Sequence, residues 1–408
     1  MFAVDFAWAF ALQFPIWAVT CGLVQEPYMD EYFHYRQAVE IAAHPIHPQW
    51  DSKITTPSGL YYVSLLMAMG QSNLYALRLT SLVFNSASCA LLCLLAPSHN
   101  RALAFRIMSF PPTVFFSQLY YTDAGGLFFV LLGLYFSRKP TRDLPLALLA
   151  LTTAIWFRQT NLVWMVCVGG MQFLLDWEPQ TKWYANVEFW KASMTAYSGY
   201  VAIPLAYLLY VKRQSSSLVF GDESNHQLSL HLTQLCYLSV VLCSSQWRLV
   251  FARPKPTLLL LGTTVSALVF VQYFTLTHPF LLADNRHFSF YLWSKFLRRT
   301  WYAKYLMIPV YGLALNNAIT ALYVRHGWYQ TLAFCAACIL ALVPLPLFEF
   351  RYFIVPYVLF SLLTGARAER PHDGVVTMLH IQIVCTVQYL FWFWTFAYAD
   401  GSVGRFMW

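Results

Sequence analysis

Residues 26–37 read EPYMDEYFHYRQ and place Asp30, Glu31, His34 and Arg36 within seven positions. A carboxylate held within hydrogen-bond reach of a sugar hydroxyl can take its proton. On a helix, Asp30 and His34 are four apart and share a face. The bland alternative is a solvated cap, because acids at a helix start suit its dipole. Asp-Glu-x-x-His, with His44 and His47 nearby, also has metal-like spacing. However, Pro45, Pro48 and Pro57 break the stretch and no second ligand set is present, so no metal and no cofactor is expected.

Other polar groups form islands in an apolar chain. LLADNRHFSFYLWSKFLRR (281–299) mixes Asp284, Arg286, His287, Lys295, Arg298 and Arg299 with aromatics. Arg binds a phosphate with a bidentate fork and Lys as a point charge, so this stretch could hold the phosphate of a lipid carrier. An interfacial belt has the same composition. FEFRYF sets Glu349 and Arg351 two apart, a spacing that would not pair them face to face on a helix. Charges near the hydrocarbon are costly and usually have a partner or a task. Arg158, Asp123, Asp222, Glu223 and His226 stand at other junctions, where each alone suits a cap or anchor.

The elements carrying these residues are set by composition. Of 408 residues, 59% are hydrophobic, 18% aromatic and 11% charged. A soluble domain keeps roughly a quarter of its residues charged, so the chain reads as an all-α polytopic membrane protein. A helix crosses the hydrocarbon core with about 20 mostly apolar residues. Candidate spans lie near 6–24, 76–96, 103–119, 123–137, 144–157, 160–176, 193–211, 231–246, 257–276, 301–323, 329–347, 351–364 and 375–398, giving 11 to 13 transmembrane helices. A barrel would show alternation, which these runs lack. The first span has no basic n-region and is expected to be retained. The nine cysteines sit in or beside apolar runs, so the Cys335–Cys338 pair reads as packing.

Basic loops at 99–106, 138–142, 247–256, 324–326 and 365–372 read as cytosolic by the positive-inside rule. The net charge of +8 is spread over such loops, which points away from nucleic acid. The 25–57 segment then faces the lumen or exterior. Residues 58–69 are too few to span and suit a re-entrant or interfacial helix, so residues 25–69 form a loop with juxtamembrane helices within a single 1–408 domain. Lys295, Arg298 and Arg299 fall on the acidic side against the rule, which suggests an anion for them to bind.

The blocks PYMDEYFHYRQA, QWDSKITTPSGLYYVS, YYTD, FRQTN, LLADNRHFSFY, EFRYFIVPY and RFMW together resemble the dolichyl-phosphate-glucose α-1,2-glucosyltransferases, which belong to the C superfamily of glycosyltransferases. The resemblance implies a multi-pass enzyme of the endoplasmic reticulum with a luminal active site. Its donor would be dolichyl phosphate glucose and its acceptor the diglucosylated lipid-linked oligosaccharide, receiving its third and last glucose. The superfamily pattern makes Asp30 the catalytic carboxylate, with Glu31 close behind. An inverting displacement is implied, with Arg286, His287, Lys295 and Arg351 as candidates for the leaving phosphate. His34 would orient Asp30 or bind sugar, and Trp50 and Tyr61 could stack on sugar rings. In the middle of the chain only the Gly221–Asp222 pair and His226 match. A transporter or lipid flippase is the alternative; it predicts mid-membrane charges and paired broken helices.

Overall fold

The structure is a computed structural model that describes residues 1–177, 187–214, 221–222, 227–244 and 257–365, together with 379, 382–384, 386–388, 390, 392–398 and 400–407. The expected basic loop at 247–256, most of 365–372, much of the 375–398 span, Glu223 and His226 lie outside these residues.

Helices dominate, and they track the apolar runs. Three described helices are long and apolar enough to cross a membrane: Phe2–Leu23, Leu74–Leu95 and Ala303–Leu342. Two bent pairs, Pro111–Ser117 with Thr122–Ser137 and Val187–Tyr197 with Gly199–Gln214, raise this to five. Shorter apolar helices include Leu144–Phe157 and Leu258–Tyr273. The first helix is apolar apart from Asp5, Gln13 and Thr20, and Trp8, Leu12 and Val19 stay exposed. Such a face belongs against lipid. The protein is an all-α integral membrane protein.

One expected span is corrected. The run 103–119 is two short helices, Arg101–Met108 and Pro111–Ser117, both largely buried in the protein. Pro111 and Pro112 cannot continue a helix and restart one at its first turn instead. The chain then bends by 114° into Thr122–Ser137. The runs 301–323 and 329–347 fall on the two helical stretches of Ile308–Leu342, which are separated by a break at Gly327 (φ 71°, ψ −178°), as expected.

Phe2–Leu23 packs on Leu74–Leu95, which packs on Thr122–Ser137, itself against Leu144–Phe157. Thr233–Ser244 and Thr257–Tyr273 both pack on Ile308–Leu342. One apolar core runs through both groups and includes Leu92, Phe115, Leu131, Phe334, Tyr357 and Phe360.

The polar segment after the first helix folds into two helices, Glu31–Ala43 and Gly59–Met67. They pack together through Ala38, Ile41, Leu60, Tyr61 and Leu65. Gly59–Met67 is nine residues long, with Leu66 and Met69 almost bare at its end. This short element lies against Leu144–Phe157, and a Cβ added at Gly59 would stand 2.6 Å from the Trp156 carbonyl oxygen. Backbone cannot yield there as a flexible side chain would. Gly59→Leu should therefore destabilise the detergent-solubilised protein by about 1–3 kcal/mol. Thermal unfolding measures this, and an unchanged melting temperature would contradict the close approach.

Candidate active site

The site begins with a buried ion pair. Glu31 is fully buried at the start of its helix. Arg78, also fully buried, donates to it from Nε (2.8 Å) and Nη2 (2.6 Å). The Tyr28 and Tyr120 backbone N–H groups add bonds of 2.9 and 2.6 Å. Arg78 also donates to the Val24 and Glu26 carbonyls. One carboxylate thus ties the end of the first helix, the helix Leu74–Leu95 and the turn before Thr122–Ser137. This pairing occupies both Glu31 oxygens.

Asp30 is one residue away and points elsewhere. Its side chain makes no capping bond to its own helix. It pairs instead with Arg351, Nη2 to Oδ2 at 3.0 Å. Arg351 also pairs through Nε with Glu349. The expectation that Glu349 and Arg351 would not meet assumed a helix. Glu349 is extended (φ −137°, ψ 138°) before a 3-10 turn, Phe350–Phe353, and that geometry lets side chains two apart converge. Arg351 lies near the rings of Tyr121 and Tyr352 at 5.9 and 5.7 Å. Arg158 stacks on Tyr352 from 5.5 Å and pairs with Asp123.

These charges set the protonation of the site. Burial pushes the Asp30 carboxyl up, but the charges of Arg351, His34 and His287, with the Arg351 hydrogen bond, together outweigh it and hold the carboxyl below the usual carboxylate range. His34 is buried, and that burial pulls its imidazole down to about 4. It is therefore neutral near pH 7, and Arg351 is the cation paired directly with Asp30. His34 Nδ1 lies 2.9 Å from the Tyr61 hydroxyl, which fixes the ring beside Asp30.

Asp30, Phe33, Phe280, Leu347 and Glu349 line the junction of two cavities. The larger is about 970 Å³ and is bounded by Asp284, Arg286, His287, Tyr398, Asp400 and Ser402. The smaller is about 460 Å³ and is bounded by His34, Lys53, Thr56, Arg158, Asp222 and Arg351. Two open volumes meeting at the Asp30 and Glu349 carboxylates suit a transfer between two bound molecules, with proton removal at the meeting point.

The pattern of the DIE2/ALG10 family matches residues 24–362. The chain belongs to the DIE2/ALG10 family. It is similar to the Arabidopsis thaliana Dol-P-Glc:Glc(2)Man(9)GlcNAc(2)-PP-Dol alpha-1,2-glucosyltransferase, 28% identical over 97% of each chain. The Homo sapiens protein of the same name is 30% identical over 83% of this chain and 84% of its own. That of Debaryomyces hansenii is 26% identical over 96% and 98%. No solved structure matches the chain.

Within this DIE2/ALG10 chain, the residues singled out from sequence divide into groups. Asp30, His34, Arg158, Asp222, Glu349 and Arg351 surround the smaller cavity, and Asp284, Arg286 and His287 stand on the larger. Asp222 is carried in by Gly221, whose φ of +82° and contact with the Ile54 carbonyl leave no room for a Cβ. Four residues fall elsewhere. Glu31 is consumed by Arg78. Tyr61 is fully buried and supports His34, so it presents no face to a sugar, while Trp50 is half-buried, packs edge-on with the Tyr61 ring at 5.7 Å and lines neither cavity. Lys295 is exposed and lines neither cavity. Arg286 is bound to Asp284 through Nε (2.9 Å) and Nη2 (2.6 Å), which spends much of its charge.

Sequence reasoning missed Lys53 and Arg78. Arg78 had a signal: it is the one charge in the 76–96 run, and a charge inside a span asks for a partner. Lys53 sits in the QWDSKITTPSG block with nothing local to mark it.

Arg78→Ala would leave Glu31 charged, buried and without its main partner, costing about 3–5 kcal/mol. Glu31→Gln should also be strongly destabilising, since it leaves Arg78 buried without its counter-charge and sets an amide NH2 against N–H donors that a carboxylate oxygen accepted from. Thermal melts of the two variants measure both losses; small losses in both would contradict the role assigned to this pair.

Proposed function

We propose that the protein transfers glucose from dolichyl phosphate glucose to the terminal glucose of Glc2Man9GlcNAc2-PP-dolichol, forming an α-1,2 linkage. The reaction takes place in the endoplasmic reticulum membrane with the cavities opening to the lumen. The observation that carries this is Asp30, ionised and paired with Arg351, at the junction of the two cavities. The names of the relatives supply the two substrates.

In this reading Asp30 accepts the proton of the acceptor 2-hydroxyl as its oxygen attacks the anomeric carbon. The carbon–phosphate oxygen bond breaks, and its electron pair leaves with dolichyl phosphate. Attack opposite the leaving group converts a β-linked donor into an α-linked product. The phosphate needs no proton to leave, but it leaves better with cations fixed near its oxygens. Arg351, Arg158 and Lys53 line the smaller cavity, which makes it the donor side.

Arg351 would then serve both partners. In the free protein it holds Asp30 ionised but weakly basic. A donor phosphate beside it competes for the guanidinium, and the basicity of Asp30 rises when the donor arrives. Glu31 holds the Asp30 backbone in place and takes no proton.

Asp30→Asn should lower kcat by about 10²–10⁴-fold, measured as glucose transfer by the purified protein; near-normal turnover in a folded variant would move the base to another residue. The pH profile carries a sign. Because the Asp30 pKa is depressed, activity persists at neutral pH and falls as pH drops through the folded value, below the usual carboxylate range. Arg351→Gln removes the depressing charge, so the acid limb should move to higher pH while the donor KM rises. An unmoved acid limb would separate Arg351 from the base.

A further inference from the structure

The larger cavity has a wall that the chemistry above does not use. Thr395–Ala397 and Val403–Arg405 pair antiparallel as a short hairpin, with Phe396 opposite Gly404. Its turn is closed by Tyr398 N–H to the Ser402 carbonyl (2.9 Å) and Gly401 N–H to the Tyr398 carbonyl (3.0 Å). Asp400 Oδ1 accepts from the Ser402 N–H (2.9 Å) and hydroxyl (2.7 Å). Both bonds fall on one oxygen, which leaves the carboxylate with acceptor capacity.

The hairpin is fastened to the catalytic loop. Tyr28 Oη accepts from the Arg405 N–H at 3.0 Å and donates to the Arg405 carbonyl. Arg405 Nη2 reaches the Leu23 carbonyl at 3.2 Å. Just beyond the hairpin, Met407 clamps the other wall: its N–H donates to the Arg286 carbonyl (2.9 Å), and its carbonyl accepts from the Phe288 N–H (2.8 Å). Tyr28 also donates its N–H to Glu31. The hairpin, the 284–288 turn and Asp30 are thereby held in one fixed relation, although 377 positions separate Tyr28 from Arg405.

The two cavities differ in charge. On the smaller, Asp30, Asp222 and Glu349 face Lys53, Arg158 and Arg351. On the larger, Asp30, Asp284, Glu349 and Asp400 face Arg286 and His287, and Arg286 is already paired with Asp284. The carboxylates outnumber the cations on the larger cavity and balance them on the smaller. On the smaller, Arg158 is itself paired with Asp123, and Arg351 with Asp30 and Glu349. A phosphodiester anion is therefore disfavoured on the larger relative to the smaller. Neutral sugar hydroxyls donate well to carboxylates and amides. We propose that the hairpin turn, through Asp400 and Ser402 opposite Asp284 and Asn285, binds the neutral oligosaccharide end of the acceptor and presents its terminal hydroxyl to Asp30. This rests on the glucosyl transfer proposed above and adds the acceptor subsite.

The test uses the full-length purified protein with both substrates titrated. Asp400→Ala should raise the acceptor KM at least tenfold and leave the donor KM within twofold, whereas Lys53→Ala should do the reverse. Asp400→Asn keeps an oxygen for the turn and should fall between wild type and alanine. Binding is read separately, as the thermal shift of the wild type and the Asp400 variants on adding diglucosylated lipid-linked oligosaccharide. A shift of the same size in Asp400→Ala overturns the inference, as does a rise in donor KM in place of acceptor KM. A wild type that shows the acceptor shift but transfers no glucose overturns the proposed reaction and leaves the subsite standing.

Discussion

The site depends on one buried ion pair. Taking Glu31 and Arg78 out of water costs several kcal/mol per ion, and only close geometry with further hydrogen bonds offsets that cost. Here both conditions hold: the guanidinium meets the carboxylate along two bonds, and two backbone N–H groups complete the shell. The result is a fixed point where three segments distant in sequence converge. Because Asp30 precedes Glu31 directly, it inherits that precision. The neighbouring carboxylates divide the labour. One is locked in place by pairing, and the other stays half-exposed at the junction of two cavities.

Arg351 is the second constraint. It touches Asp30 and Glu349 and lies among the rings of Tyr121 and Tyr352, so its position is settled by four neighbours from three segments. A cation held this firmly costs little reorganisation when a phosphate appears, which is the property that makes fixed charges effective in transfer reactions. The proposed exchange of Arg351 between Asp30 and a donor phosphate needs only a small movement, because the three groups would share one cavity wall.

Much of this was legible in the sequence. The apolar runs, read against the length of a span, pointed to an all-α membrane protein and to most helix positions. The prolines marked the break between Glu31–Ala43 and Gly59–Met67. The density of ionisable groups in EPYMDEYFHYRQ marked the candidate site, because charge is costly in such a chain. One cause accounts for the residues that the structure places away from the cavities. Glu31 and Asp30 are adjacent and chemically alike, so sequence could not tell the locked carboxylate from the open one. Trp50 and Tyr61 are aromatic, as sugar-stacking residues are, but they pack into the core beneath His34. Lys295 shares a polar stretch with Arg286 and His287, which line the larger cavity, while it turns out.

By itself the sequence determined the consequences of local composition: hydrophobic length makes helices, proline breaks them, and clustered charge marks the candidate site. The tertiary structure decided pairing across distance. Arg78 reaches Glu31 across 47 positions, Arg351 reaches Asp30 from the far end of the chain, and Arg405 fastens to Tyr28. None of these partners is marked by spacing, because a hydrogen bond depends on where side chains end in space and the intervening helices set that.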